Sequence, residues 1–375
     1  MFRRITIQLS FILFVFTNVY AQYDNSFFYS NKYEQTIDSS HLLLHFDNLS
    51  YFRNTEQTSL VDKGSTYIGF NLLPYVQYSF NKNAQIYGGL LLRYDFGNPE
   101  IKTLEPYFKF TYENLLGHNV VFGSLNGNVQ HKLIEPLYDY ELAVTDRFEQ
   151  GLQITKPGKR VEYDLWIDWQ DMIYEGDPFN EAFFGGLNFY LHPINSEKNK
   201  LSLNAQAITL HKAGEIDKSP YPNSMEYNFA YGLEYTHFFS AETNLYVAGY
   251  AAYYEDESSF LASGYRDGLG QLAMLRLKHH DYQFVLSYWD SYQFQAPTGE
   301  QLYHSIGNKN SNSPHDYRKM IGARVAYEVE IGKNLVFLNR LGGNYNLNHS
   351  RFDITMENYL RWHFTSKNSK PIAIN

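Results

Sequence analysis

Hydrophobic and polar residues alternate with a period of two along nearly the whole chain. In ITMENYLRWHF, residues 354–364, Ile354, Met356, Leu360, Trp362 and Phe364 share one face of an extended segment, with Asn358 as the exception. Thr355, Glu357, Tyr359, Arg361 and His363 share the other. In ARVAYEVEI, residues 323–331, Ala323, Val325, Tyr327, Val329 and Ile331 oppose Arg324, Ala326, Glu328 and Glu330. In residues 84–96, Ile86, Leu90, Leu92, Tyr94 and Phe96 oppose Gln85, Tyr87, Arg93 and Asp95. This period places every second side chain on the same face of a strand. Sixteen segments carry the pattern, near 41–53, 65–80, 84–96, 103–114, 118–125, 148–156, 160–171, 181–192, 200–211, 224–240, 244–255, 268–279, 281–294, 317–332, 334–347 and 351–364. The fifth and sixth are short and weakly patterned.

The connections alternate in length. Short ones include Asn81-Lys82-Asn83, Pro157-Gly158-Lys159, Ala241-Glu242-Thr243 and Gly332-Lys333. Longer ones fall near 54–64, 126–147, 172–180, 212–223, 256–267 and 295–316, whereas the last, near 348–350, is short although it falls on the long side. The expected fold is all-β: a single transmembrane antiparallel up-and-down β-barrel of about 16 strands, within a range of roughly 14–18. A soluble sandwich or barrel would hide an apolar face. Here the face opposite the oily one carries charges of both signs, the arrangement that lipid imposes.

Composition sharpens this picture. The mean hydropathy is −0.44. After residue 21 no apolar run is long enough for a membrane helix. Yet 18% of the residues are aromatic, with 34 Tyr and 28 Phe. Tyr suits a water–lipid boundary because its ring is apolar and its hydroxyl seeks a partner. MFRR, the apolar stretch that follows it and Val19-Tyr20-Ala21 read as a signal peptide over residues 1–21. Beyond it the expected divisions are a periplasmic N-terminal segment (22–40), the barrel (41–364) and a polar C-terminal tail (365–375). There is no cysteine, hence no disulfide framework and no thiolate metal site. The formal charge of −9, with both signs spread along the chain, argues against nucleic acid as a partner.

The last strand, ENYLRWHF, has alternating bulky residues ending at Phe364. With the patterning of the whole barrel region, it resembles the Gram-negative outer-membrane β-barrels, porin-like and of the Bacteroidota kind. That resemblance implies residence in the bacterial outer membrane after export. It also implies contact with outer-membrane lipid, and recognition of Leu360, Trp362 and Phe364 by the barrel-assembly machinery. The chain departs from the family pattern by eleven further residues, Thr365–Asn375. Homo-oligomer or subunit of a larger complex stays open.

Candidate chemistry is sparse. In VEYDLWIDWQ, residues 161–170, Glu162, Asp164 and Asp168 fall on the face opposite Val161, Tyr163, Leu165, Ile167 and Trp169. Glu162 and Asp164 would lie roughly 6.5–7 Å apart, a spacing that also suits a glycosidase pair. Any polar strand face generates such pairs, so a water-lined wall is the expected reading. Arg276, Lys278, Arg324, Arg340 and Arg361 are further lumen-lining candidates. The long connection 126–147 is unusually apolar for a loop and carries Glu135, Asp139, Glu141 and Asp146. It could fold inward as a constriction or pack outside as a cap. His118 and His131 flank Ser124 and Asn126 in a Gly/Asn-rich stretch, but the His-x-Ser spacing of outer-membrane phospholipases is missing. Adjacent His279-His280 builds no metal site, and no metal or cofactor is expected. The leading functional expectation is a channel for passive passage of small hydrophilic solutes. An accessory barrel of a secretion or assembly complex and an outer-membrane lipid- or glycan-acting hydrolase are the alternatives.

Overall fold

The computed structural model describes residues 24–29, 31–32, 34, 41–58, 63–213, 222–261, 264–307 and 316–366. The signal-peptide and C-terminal-tail assignments lie outside the described residues, apart from Thr365 and Ser366. Sixteen strands follow one another: β1 (His41–Glu56), β2 (Ser65–Asn81), β3 (Ala84–Asp95), β4 (Thr103–Glu113), β5 (Asn119–Ser124), β6 (Gln150–Lys156), β7 (Val161–Asp171), β8 (Glu181–Asn195), β9 (Asn199–Ala213), β10 (Ser224–Phe238), β11 (Thr243–Asp256), β12 (Asp267–His279), β13 (Tyr282–Tyr292), β14 (Tyr317–Gly332), β15 (Leu335–Asn346) and β16 (Arg351–Thr365). Each pairs with its neighbours in sequence, and β1 closes on β16 with Phe46 opposite Phe364 and Asn48 opposite Trp362. Closure leaves no free strand edge, which is what a bilayer demands of a spanning sheet.

The alternation has the facing expected of a membrane barrel. Leu165, Leu341 and Phe364 are 48–49% exposed on the outside, while Arg340, Glu357 and Arg361 are 1% exposed inside. Short turns gather at one end of the barrel and long connections at the other, the periplasmic and extracellular ends by the usual barrel rule.

The wall is uneven. β5 and β6 have 6 and 7 residues, against 11 to 17 in the other strands. Six tilted residues rise about 14 Å, less than the ~25 Å apolar band of such barrels. The chain leaves the wall early here because residues 125–149 turn inward. Gly123 makes the departure feasible: its φ is +95°, and a Cβ there would meet the Phe108 carbonyl oxygen at 2.3 Å.

Candidate functional site in the lumen

Three segments fill the interior. The first is residues 125–149, whose Leu133, Ile134 and Leu137 pack with inward Trp166, Phe184 and Trp289. The second is the N-terminal stretch around Phe27 and Phe28, buried against Leu49, Leu338 and Tyr359. Expected as a periplasmic extension, it instead enters the barrel, where Arg361 Nη1 donates to the Phe27 carbonyl at 2.6 Å and Arg340 Nη2 to Asn25 Oδ1 at 2.8 Å. The third comes from the β13–β14 connection, where Ala296, Leu302 and Tyr303 join the first cluster.

Charged side chains tie the first segment to walls on several sides. Arg324 Nη1 of β14 meets both oxygens of Glu135, at 2.5 and 2.7 Å, and the Tyr303 hydroxyl donates to the same carboxylate at 2.7 Å. Glu141 pairs with Arg53 of β1, whose Nε also donates to Glu357 Oε1 at 2.9 Å. The Tyr140 hydroxyl donates to that oxygen as well, at 2.9 Å. Arg147 and Arg361 share the carboxylate of Asp47. Burial first, then the charge of Glu135, pushes the Glu300 carboxyl well above the usual range.

The fourth tie is a histidine cluster. Residues Asn128–His131 form a single 3-10 turn, followed by Lys132 in the left-handed region with φ 56°. This turn delivers a fully buried His131 between two carboxylates. Nδ1 lies 2.7 Å from Asp164 Oδ2 and Nε2 lies 2.6 Å from Glu149 Oε2. The ring stacks on Trp166 with centroids 3.6 Å apart and planes 12° from parallel. The Tyr138 hydroxyl donates to Glu149, and the Asn128 amide does so at 3.2 Å. Burial opposes charge on the imidazole, but the two carboxylates and their hydrogen bonds outweigh it and raise its pKa to about 10. Glu149 is shifted the other way: burial would raise it, and the charge and hydrogen bonds of His131, with those from Tyr138 and Asn128, hold it below the ordinary carboxylate value.

The residues singled out in the sequence are brought together unevenly. Glu162, Asp164 and Asp168 face inward, and each meets a partner there. Glu162 pairs with Lys132, Asp164 belongs to the histidine cluster, and Asp168 Oδ1 accepts the Gln150 amide at 2.7 Å. The inward turn of 125–149 supplies the first two partners and β6 the third. Glu135 and Glu141 meet basic side chains of the wall, whereas Asp139 accepts the Glu141 amide at 2.8 Å and Asp146 is exposed. Lys278 lies 3.6 Å from Asp24, and Arg276 sits 4.9 Å over the Tyr246 ring. Leu360, Trp362 and Phe364 lie on the outward face.

Glu149 and Trp166 carry no such signal in the sequence, and His131 stands out only as a flank of Ser124 and Asn126. The partners of His131 are 33 and 18 positions away, so local spacing around Ser124 and Asn126 could not reveal them.

The remaining space is divided. Cavities of 330, 170 and 240 Å³ lie toward the short-turn end. The last borders His131, Lys132, Glu162, Asp164 and Tyr190. A further pocket of 10 Å³, about the room of one water, lies between the inward segment and the β14–β16 wall, beside Tyr140, Glu300, Arg324 and Arg340.

A family model described as lipid A 3'-O-deacylase-type matches residues 34–367, essentially the whole barrel. The chain belongs to that family. No curated protein matches the chain in sequence. Among solved structures it is similar to the outer-membrane protein OprD of Pseudomonas aeruginosa, with 9% identity, a TM-score of 0.52 and coverage of 89% of this chain and 96% of that one. It is also similar to a loop-deleted OmpT of Vibrio cholerae, with 9% identity, a TM-score of 0.52 and coverage of 86% and 100%. An anion-selective porin from Comamonas acidovorans gives 9% identity, a TM-score of 0.51 and coverage of 86% and 99%. At such identities the likeness establishes the fold: a closed 16-strand outer-membrane barrel of porin type.

Proposed function

We propose that this barrel is an outer-membrane hydrolase that removes an ester-linked acyl chain from a lipid A-type glycolipid. The observation that carries the reading is the His131 cluster, seated on the inward segment of a chain in the lipid A 3'-O-deacylase-type family. Asp164 orients the ring through Nδ1. The doubly held ring is positively charged and presents Nε2, now engaged by Glu149, to a bound ester. Glu149, released from Nε2, takes a proton from the attacking water as its oxygen bonds to the acyl carbon. His131 supplies positive charge to the developing oxyanion and then a proton to the sugar oxygen as the acyl–oxygen bond breaks, leaving a free fatty acid and a sugar hydroxyl. No seryl nucleophile is invoked. The low wall at β5–β6 supports the reading, because it is where hydrocarbon comes nearest to the inward segment.

The test is release of fatty acid from lipid A in mixed micelles by the purified, folded protein, followed by mass spectrometry. His131→Ala should lower the rate by about 10²-fold or more, the usual contribution of a general acid. Absence of release by folded wild-type protein, or an unchanged rate in the variant, rejects the hydrolase.

A second reading, a gated passage for small hydrophilic solutes, is favoured by the three cavities near the short-turn end. The inward segment, tied to the wall through Glu135–Arg324 and Glu141–Arg53, speaks against free passage in this state.

A further inference from the structure

Most inward arginines of this barrel have an acid beside them: Arg53, Arg93, Arg147, Arg324 and Arg361 each meet a carboxylate. Arg318 differs. It is the second residue of β14, at the long-loop end, and is fully buried. Its Nη2 donates to the Leu302 carbonyl at 2.7 Å, and its Nε and Nη1 have no partner. Among the described residues no carboxylate comes within ion-pairing distance of it. Asp353 is the acid whose charge reaches it, and that carboxylate accepts the Thr58 amide at 2.7 Å. Two more buried groups at this end of the same wall lack partners: the hydroxyl of Ser291, directly opposite Arg318 on β13, and the amide nitrogen of Asn346, opposite Met320 on β15. Nearby His304 is held neutral, its pKa lowered to about 3 by burial and then by the charge of Arg318, so it adds no second positive charge at this end.

A buried guanidinium without a counter-ion is costly, and buried charges are as a rule paired. The unpaired groups here are of one kind. Two adjacent guanidinium N–H donors match two oxygens of a tetrahedral oxyanion, and a hydroxyl and an amide NH₂ can serve its others. We propose that Arg318, with Ser291 and Asn346, binds a phosphate-class oxyanion at the extracellular end of the barrel. The oxyanion is either free phosphate or the phosphate monoester of a lipid headgroup. This site is distinct from the His131 cluster and does not depend on the hydrolase reading.

Trp289 provides a native reporter. It lies two residues before Ser291 on the same inward face, and its Nε1 donates to the Tyr303 carbonyl at 3.1 Å, one residue from the carbonyl that Arg318 holds. The full-length protein in detergent is titrated with sodium phosphate, and with sodium chloride at matched ionic strength, while melting temperature and tryptophan emission are recorded. In a second arm it is titrated with micelles containing phosphatidic acid or only phosphatidylcholine. The expected result is a saturable rise in melting temperature and an emission change with phosphate or phosphatidic acid, absent with chloride and phosphatidylcholine. A response to phosphate identifies free anion as a source; a response confined to phosphatidic acid identifies the headgroup. Arg318→Gln should abolish the response. In phosphate-free buffer it should melt no lower than wild type, since the charge removed had no counter-ion there. Asn346→Ala should weaken the response several-fold. Wild-type protein that responds to neither phosphate nor phosphatidic acid overturns the site, whatever the variants do. So does a full response in Arg318→Gln, or a large loss of melting temperature in that variant, which would make Arg318 a structural tie to Leu302.

Discussion

Single residues of the lumen act as pairs. Glu135 and Arg324 are both buried, and removing one takes from the other the ion-pair partner it meets most closely. Glu135→Gln is therefore expected to destabilise the folded barrel by about 3–5 kcal/mol, whereas Glu135→Gln with Arg324→Met should lose much less. Denaturant titration read by heat-modifiable gel mobility checks this, and equal losses in the two would refute a buried ion pair. His131 adds a pH dependence with a definite sign. Its pKa is raised on folding, so its stabilisation is complete below the ordinary histidine value and is lost as pH rises through about 10. Glu149 is lowered, so its contribution is present above the ordinary carboxylate value and fails as pH falls below it. Histidine-ring NMR should report an alkaline transition near pH 10 for one imidazole in wild type, with that resonance missing in His131→Gln. The same transition in the variant would show that His131 is not the titrating group. Of these partners, the sequence makes visible which side of the wall Arg324 and Glu357 face, through strand phase. It does not make visible the partner that each finds on the inward segment, Glu135 for Arg324 and Tyr140 for Glu357, because those contacts join positions 189 and 217 apart in sequence.

Among the elements, the strands were the most legible. A bilayer requires apolar residues outside and tolerates charge inside, so alternation survives in nearly every strand. Even the brevity of β5 and β6 appears as weak patterning near 118–125 and 148–156. The inward segment was half legible. Its apolar content shows that it packs on something, but an inward constriction and an outer cap would both bury those side chains, and only the tertiary structure selects. The N-terminal stretch was illegible, since Phe27 and Phe28 read equally well as part of an exported linker. The strands give a direct test of facing. Leu165→Arg, on the outward face of β7, should lower the yield of assembled barrel, with a cost of about 2–4 kcal/mol near the midplane. Asp164→Asn, one residue away and inward, should leave assembly largely intact and loosen the inward segment, seen as faster proteolysis between residues 125 and 149. Equal assembly of Leu165→Arg and wild type would contradict the facing.

For the whole molecule, the barrel shares its architecture with porins but packs three segments of its own chain inside, tied to the wall and to one another by buried ion pairs and hydrogen bonds. A wide barrel must hold water or a plug, and this one holds a plug. That closure underlies the preference for a lipid-side hydrolase over a free-diffusion pore, and planar-bilayer conductance of the purified protein tests it most directly. The account predicts no stable ohmic steps from wild-type protein across neutral pH, and large steady steps from a variant lacking residues 127–147. Stable ohmic conductance from wild-type protein would contradict it.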